Sequence, residues 1–355
     1  MHNQLVLESV ELLKQLIATP SFSKEEHGTA EIILDFLASK DVKVQRKKNN
    51  VWAINKHFDP LKPTLLLNSH HDTVKPNPAY TRNPFIPEGA EGRLYGLGSN
   101  DAGASLVALI AAFLSFYERS DFHYNLIFAA TAEEEISGKN GISLILPALP
   151  KIDFAIVGEP TLLRMAIAEK GLLVIDCCAT GIAGHAARNE GENAIYKAID
   201  DIQWIKNYSF PKVSKTLGPV KMTVTLIKSG TQHNVIPAKC EFTIDVRTTD
   251  AYTNEEVLEV IRQHTNSEIK PRSTRLKASS VSKDHILVKA AQELGISTFG
   301  SPTLSDQSLL NAPSVKIGPG DSARSHSADE YVGLNEIEQG IDVYISLLEK
   351  INAKL

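Results

Sequence analysis

Residues that could hold metal ions or move protons recur at five places in this 355-residue chain. His70-His71-Asp72 follows the apolar run 65–67, and the H-x-D spacing puts His70 and Asp72 on one side of an extended chain. That suits a metal-bound imidazole whose other nitrogen is oriented by a carboxylate. Asp101 closes the glycine turn Gly96-Leu97-Gly98-Ser99-Asn100, which opens an apolar helix. Glu133-Glu134-Glu135 follows the run 125–130, and three adjacent carboxylates at a sheet edge call for cations. Glu159 follows 154–157, and His326 lies in a polar loop between Gly318 and Asp329. Taken singly, these read better as a polar strand end, a helix cap or an acidic turn. Together, two imidazoles and several carboxylates make a nitrogen and oxygen ligand set suited to zinc or a similar divalent ion. A carboxylate beside a metal-activated water is the equipment of amide hydrolysis.

Ligands bind at the carboxyl ends of the strands in an open α/β sheet, so the elements decide whether these residues can meet. A helix over 4–18 carries Val6, Val10, Leu13 and Ile17 at helical spacing and ends at Thr19-Pro20. Ser23 and Glu26 have the spacing of a capping box for a second helix reaching 39. Runs 42–44, 51–54 and 65–67 read as strands, the last buried on both faces. A helix over 101–117 and strands 125–130 and 154–157 complete an α/β pattern: a mainly parallel sheet with helices on both faces. Then the texture changes. Strand 172–179, helix 193–206, strands 221–228 and 241–247, a helix capped by Thr253 and Glu256 and running to 264, and strand 274–278 follow the β-α-β-β-α-β order of a ferredoxin-like α+β domain. A helix over 284–294, a strand near 314–317 and a final helix starting near Asn335 and Glu338 return to the first texture. The expected division is an α/β domain from 1–167 and 276–355, interrupted by an inserted domain at 168–275.

Composition narrows the function. Apolar residues at 43% and charged residues at 22% are ordinary for a folded chain and exclude a disordered one. With 37 basic and 42 acidic residues the net charge is -5, and the one basic cluster, Arg46-Lys47-Lys48, is short. No nucleic-acid partner is expected. Cys177, Cys178 and Cys240 form neither a disulfide framework nor a CxxC site, and reduced thiols fit a cytoplasmic protein. The polar N-terminus lacks the pattern of a secretory signal, and the longest apolar run, 106–114, is too short to span a bilayer; no membrane partner is expected. No G-x-S-x-G elbow of a serine hydrolase is present.

Five motifs, in order, resemble those of the di-zinc amidohydrolase family that includes acetylornithine deacetylase, succinyl-diaminopimelate desuccinylase, aminoacylases and glutamate carboxypeptidases. SHHDTV at 69–74 is similar to the family's GHxDTV, and GRLYGLGSNDAG at 92–103 to its GRLYGRGxxDxKG. TAEEE at 131–135 is similar to its TxDEE. GEPT at 158–161 and GPGDSARSHSADEYV at 318–332 complete the set. The resemblance implies that His70 and Glu159 bind one zinc, Glu135 and His326 the other, and Asp101 both, with cobalt as an alternative metal. It implies Glu134 as general base for hydrolysis by a metal-activated water, and Asp72 as the group that orients His70. It also implies that the inserted domain is a lid and dimerisation domain, so that the chain forms a homodimer. Within it His185 matches the histidine that reaches the partner subunit's site to stabilise the oxyanion. Asn234 and Arg247 match positions that hold the polar end of the substrate. Two positions depart from the pattern: Glu133 stands for the family's aspartate, and Gly103 for a frequent lysine.

The substrate implied is a small N-acyl amino acid, N-acetyl- or N-succinyl-ornithine or -citrulline, as in arginine biosynthesis. Arg324, two residues before His326, and Gly320 in the same loop are expected at the substrate, and Arg324, Lys75 and Arg188 would favour a succinyl group. The alternatives are a dipeptidase, a carboxypeptidase or a succinyl-diaminopimelate desuccinylase with the same metal site. A non-catalytic binding relative ranks lower, because the five ligand residues and Glu134 are all present.

Overall fold

Successive residues of a strand point to opposite faces, and the buried residues sort accordingly. Leu65, Leu67, Leu126, Phe128 and Ile156 join one apolar cluster, while Leu66, Ile127, Ala129 and Ala155 join another. Strands Thr64–His70 and Asn125–Thr131 are buried at every position, as central strands covered on both faces must be. The computed structural model describes residues 2–188 and 190–353. Its larger sheet runs in the order Val44–Lys47, Asn50–Ile54, Asn125–Thr131, Thr64–His70, Phe154–Val157, Ser314–Lys316, Met165–Glu169. The four strands from Asn125–Thr131 to Ser314–Lys316 are parallel, and the flanking ones are antiparallel.

Helices His2–Ile17, His27–Ala38, Ala104–Tyr117 and Leu334–Asn352 cover one face through the first apolar cluster. The short helix Ile142–Ile145, with Trp52, Leu146 and Leu309, covers the other. Helix Ala104–Tyr117 is buried along most of its length. With its preceding turn it is long and apolar enough to cross a bilayer, but its burial is that of a core helix.

The chain forms two compact units. One comprises residues up to Ile167, Val281–Phe299 and the segment from Ser305; the other comprises Ala168–Ser280 and Gly300–Leu304. The second unit has an antiparallel sheet in the order Lys221–Ser229, Lys239–Thr248, Gly171–Thr180, Glu268–Pro271. Helices Ala194–Asn207 and Asn254–His264 pack on it through Ala194, Ala198, Ile205, Val257 and Ile261. That is the ferredoxin-like order.

Local sequence patterns fared unevenly. The Thr253 capping box forms: its hydroxyl accepts from Glu256 N–H at 3.1 Å, and Glu256 accepts from Thr253 N–H at 2.7 Å. The Ser23–Glu26 box does not. The second helix starts at His27, because Ser23 donates instead to Asp72 at 2.7 Å and Glu26 is taken by Asn49 and by the amides of Lys24 and Glu133. The last helix starts at Leu334, where Gly333 N–H donates to Glu336, not at Asn335 with Glu338. The fourth strand of the second unit is Glu268–Pro271, not 274–278.

Candidate metal centre

Parallel pairing puts His70 opposite Thr131 and Asn68 opposite Val157. Three strands therefore end at one edge, and the residues that follow them converge there. Gly158 N–H donates to the Asn68 carbonyl at 2.7 Å, and the Ser69 hydroxyl donates to the Gly158 carbonyl at 2.8 Å. These bonds fix Glu159 beside His70. Asp101 arrives from the irregular turn Ser99–Gly103 ahead of helix Ala104–Tyr117. Gly98 enters that turn at φ +74°, where a Cβ would lie 2.6 Å from a Thr73 methyl; only glycine fits.

Two groups of potential ligands result: His70, Asp101 and Glu159, and Asp101, Glu135 and His326, with the ligand atoms of each group within 4.8 Å of one another. His70 Nε2 lies 3.3 Å from Asp101 Oδ1 and 3.8 Å from Glu159 Oε1. His326 Nε2 lies 3.0 Å from Glu135 Oε2 and 3.7 Å from Asp101 Oδ2. Asp101 thus turns one oxygen to each group.

The charge balance of this cluster points to cations. Burial pushes the Glu134 carboxyl well above its usual range, with Glu159, Asp306 and Glu135 adding to the rise against the pull of His70. Burial also lifts Glu159 to about 8 and raises Glu135. His70 is lowered by burial, but Asp101 and Asp72 outweigh that and hold it well above its usual value. The hydrogen bond to Glu135 raises His326 to about 9. Crowded buried carboxylates with imidazoles among them are a donor set that divalent ions satisfy, so the residues fit a two-metal site.

Asp72 has a wider role than orienting one ring. His70 Nδ1 donates to the Asp72 backbone carbonyl at 3.0 Å and lies 3.5 Å from its carboxylate. That carboxylate, fully buried, accepts from Glu134 N–H at 3.0 Å, Glu135 N–H at 3.2 Å and Ser23. His71 points away. It bonds Thr29 at Nδ1 and the Asn49 carbonyl at Nε2, both at 2.8 Å, and burial lowers its pKa to about 4. Glu133 is buried and accepts from Asn140.

Two further buried carboxyl groups were not among the expected site residues, although Glu330 lies within the motif at 318–332. Glu330 accepts from the amides of Gly98, Asn100 and Asp101. Asp306 accepts from Thr131 at 2.7 Å, and burial raises it to about 6.

Arg324 is not the free cation expected at an acyl pocket. Its guanidinium bonds both Glu336 oxygens, at 2.7 and 3.1 Å, and stacks over Tyr331, because the last helix places Glu336 within its reach. Gly320 packs against the Asp101 turn: at φ +88°, a Cβ there would meet Asn100 Oδ1 at 2.4 Å. In the second unit His185 and Asn234 are neighbours, both exposed, joined through the Ala186 N–H donating to the Asn234 carbonyl at 3.0 Å. Arg247 is half-buried and pairs with Asp245 at 2.9 and 3.1 Å. Lys75 and Arg188 are exposed.

The sheet, the strand-end cluster and the shared aspartate define a metal-dependent hydrolase. The chain belongs to Peptidase family M20/M25/M40, whose profile matches residues 66–350. It is 25% identical to succinyl-diaminopimelate desuccinylase 2 of Ruegeria sp. (strain TM1040) over 382 aligned residues, 97% of this chain and 95% of that one. It is 28% identical to acetylornithine deacetylase of Proteus mirabilis (strain HI4320), covering 96% of each. A tripeptidase from Staphylococcus aureus shares the fold with a TM-score of 0.78 at 19% identity, over 100% of this chain and 99% of that one.

Proposed function

We propose that the protein hydrolyses the amide bond of an N-acyl amino acid at two divalent ions, zinc or cobalt, and that its substrate is an N-acetyl or N-succinyl derivative of ornithine or citrulline. The observation that carries the reading is Asp101, one carboxylate facing both His70 and His326. In this reading His70 and Glu159 would hold one ion and Glu135 and His326 the other, with Asp101 available to both. Ions held there would polarise the scissile carbonyl and make a water acidic near neutral pH. Glu134 is placed to accept a proton from the attacking water and return it to the leaving amine; burial raises its carboxyl from the ordinary range, which strengthens it as a base once cations offset the neighbouring carboxylates. Asp72 holds Glu134 by its N–H and fixes the His70 tautomer, leaving Nε2 free for an ion.

His185 is the proposed oxyanion partner, supplied across a homodimer, with Asn234 and Arg247 at the polar end of the substrate. The outer strand Lys221–Ser229 supports the dimer. Among the described residues it pairs on one side only, and it exposes Leu226 and Ile227, while helix Ala194–Asn207 exposes Tyr196 and Ile199. A free edge with exposed apolar residues is an association surface. Three free cysteines support a cytoplasmic location. The names of the two enzyme relatives support the choice of acyl group.

The test is amine release by the zinc-loaded protein from N-acetyl- and N-succinyl-ornithine and -citrulline, N-succinyl-diaminopimelate and dipeptides. Preference for one ornithine or citrulline derivative is expected. Activity on dipeptides or diaminopimelate alone would overturn the substrate and keep the site. Glu134→Gln should retain both metals and lose about 10²–10⁴ in turnover; near-normal turnover would remove Glu134 from its role.

A further inference from the structure

The segment after His326 ends in a buried carboxylate that reaches back to another candidate ligand. Glu330 Oε1 accepts from Asn100 N–H and from Asp101 N–H, both at 2.9 Å, and its Oε2 accepts from Gly98 N–H at 3.0 Å. Its backbone carbonyl accepts from Gly96 N–H at 3.0 Å. The segment is itself pinned: Asp329 accepts from the amides of Thr81 and Arg82 at 2.9 Å, and Asn77 donates to the His326 carbonyl at 3.2 Å. Backbone amides that converge on one carboxyl group form a rigid cradle. The cradle is the turn that carries Asp101, so Glu330 fixes that residue at its own amide.

We propose that Glu330 is a positioning residue for the two-metal site. It sets Asp101 so that one oxygen faces His70 and the other His326, and it links the Asp101 turn to the His326 loop so that two of the three ligands of the second group are placed together. The inference rests on the two-metal reading above. A glutamine here turns an NH₂ group toward backbone N–H groups, so at least one amide loses its acceptor and the turn is released.

The experiment titrates metal-free, full-length wild type, Glu330→Gln and Glu330→Asp with Co(II). It follows the visible absorption, competition with a chromophoric chelator and, for the fold, far-ultraviolet circular dichroism. Wild type should take up two equivalents. Glu330→Gln should hold the first and bind the second about 10–100-fold more weakly, with an altered visible spectrum. With zinc, its kcat should fall while KM stays within about twofold, as for an interaction felt mainly in the transition state. Glu330→Asp keeps the charge but loses reach and should lie between; it decides the matter if Glu330→Gln does not fold. Folded variants that bind two equivalents with wild-type affinity and spectrum would overturn the proposal, even if they melt at a lower temperature. A wild type that binds fewer than two equivalents would overturn the two-metal reading, and this inference with it.

Discussion

Replacing Asp72 by asparagine exchanges one oxygen for an NH₂ group at the most connected side chain of the site. The carboxylate serves Glu134 N–H with one oxygen and Glu135 N–H and Ser23 with the other. An amide oxygen can take only one of these sides. The Ser23 hydroxyl can rotate and accept instead, but one backbone N–H of the Glu134–Glu135 pair must lose its acceptor. A hydrogen bond to a charged group contributes about 1.5–3 kcal/mol, and a stranded donor costs about 1–3 kcal/mol. With the bonds that persist weakened by loss of charge, the destabilisation is about 2–4 kcal/mol. In the metal-free protein the substitution also removes the negative charge beside His70, which helps hold the Asp72 carboxyl below its usual range, so the cost persists without metal. The assay is urea unfolding of both forms, with metal affinity and kcat for the loaded enzyme. Metal affinity or turnover should fall about 10–100-fold. Ser23→Ala, which removes one of the three bonds, should cost about 1.5–3 kcal/mol. An Asp72→Asn protein with wild-type stability, metal affinity and turnover would refute the claim that Asp72 holds the Glu134–Glu135 loop.

Buried His71 titrates near 4 in the folded protein against 6.5 for a free imidazole, so the unfolded chain binds the extra proton between those values. Stability should therefore fall as pH drops from 6.5 toward 4 and below, by at most about 3–4 kcal/mol from this group. His71→Gln, compared with wild type by urea unfolding across that range, should show a shallower decline; parallel curves would contradict the buried neutral ring. Leu226→Lys, on the outer strand, should shift the sedimentation of the proposed dimer to that of a monomer while circular dichroism shows the chain still folded; an unchanged sedimentation coefficient would move the dimer surface elsewhere. Arg324→Gln should lower stability by about 1–3 kcal/mol through the stranded Glu336 and leave the preference between acetyl and succinyl substrates unchanged; a selective loss of succinyl turnover would restore Arg324 to the acyl pocket.

The residues that the structure gathers at the strand ends were legible for a simple reason. His70, Glu135 and Glu159 each follow a fully apolar run, and parallel runs of that kind deliver their ends to one edge. Asp101 and His326 needed the family's motif order, since a glycine turn and a polar loop say little by themselves. The supporting carboxylates were not legible. Glu330 and Asp306 lie in polar stretches where a sequence cannot distinguish a buried acid from a solvated one; only the folded backbone aims three amides at Glu330. Ser23–Glu26 and Thr253–Glu256 have the same spacing, yet only the second caps a helix, because Asp72 and Asn49 compete for the first pair. Arg324 shows the converse: proximity in sequence to His326 was outweighed by Glu336, in the first turn of the final helix.

In the proposed site Asp101 would lie between two metal ions. Anomalous diffraction at the zinc edge from crystals of the zinc-loaded protein locates them. Two peaks per chain are expected, one among His70, Asp101 and Glu159 and one among Asp101, Glu135 and His326. A single peak, or peaks away from Asp101, would contradict that arrangement.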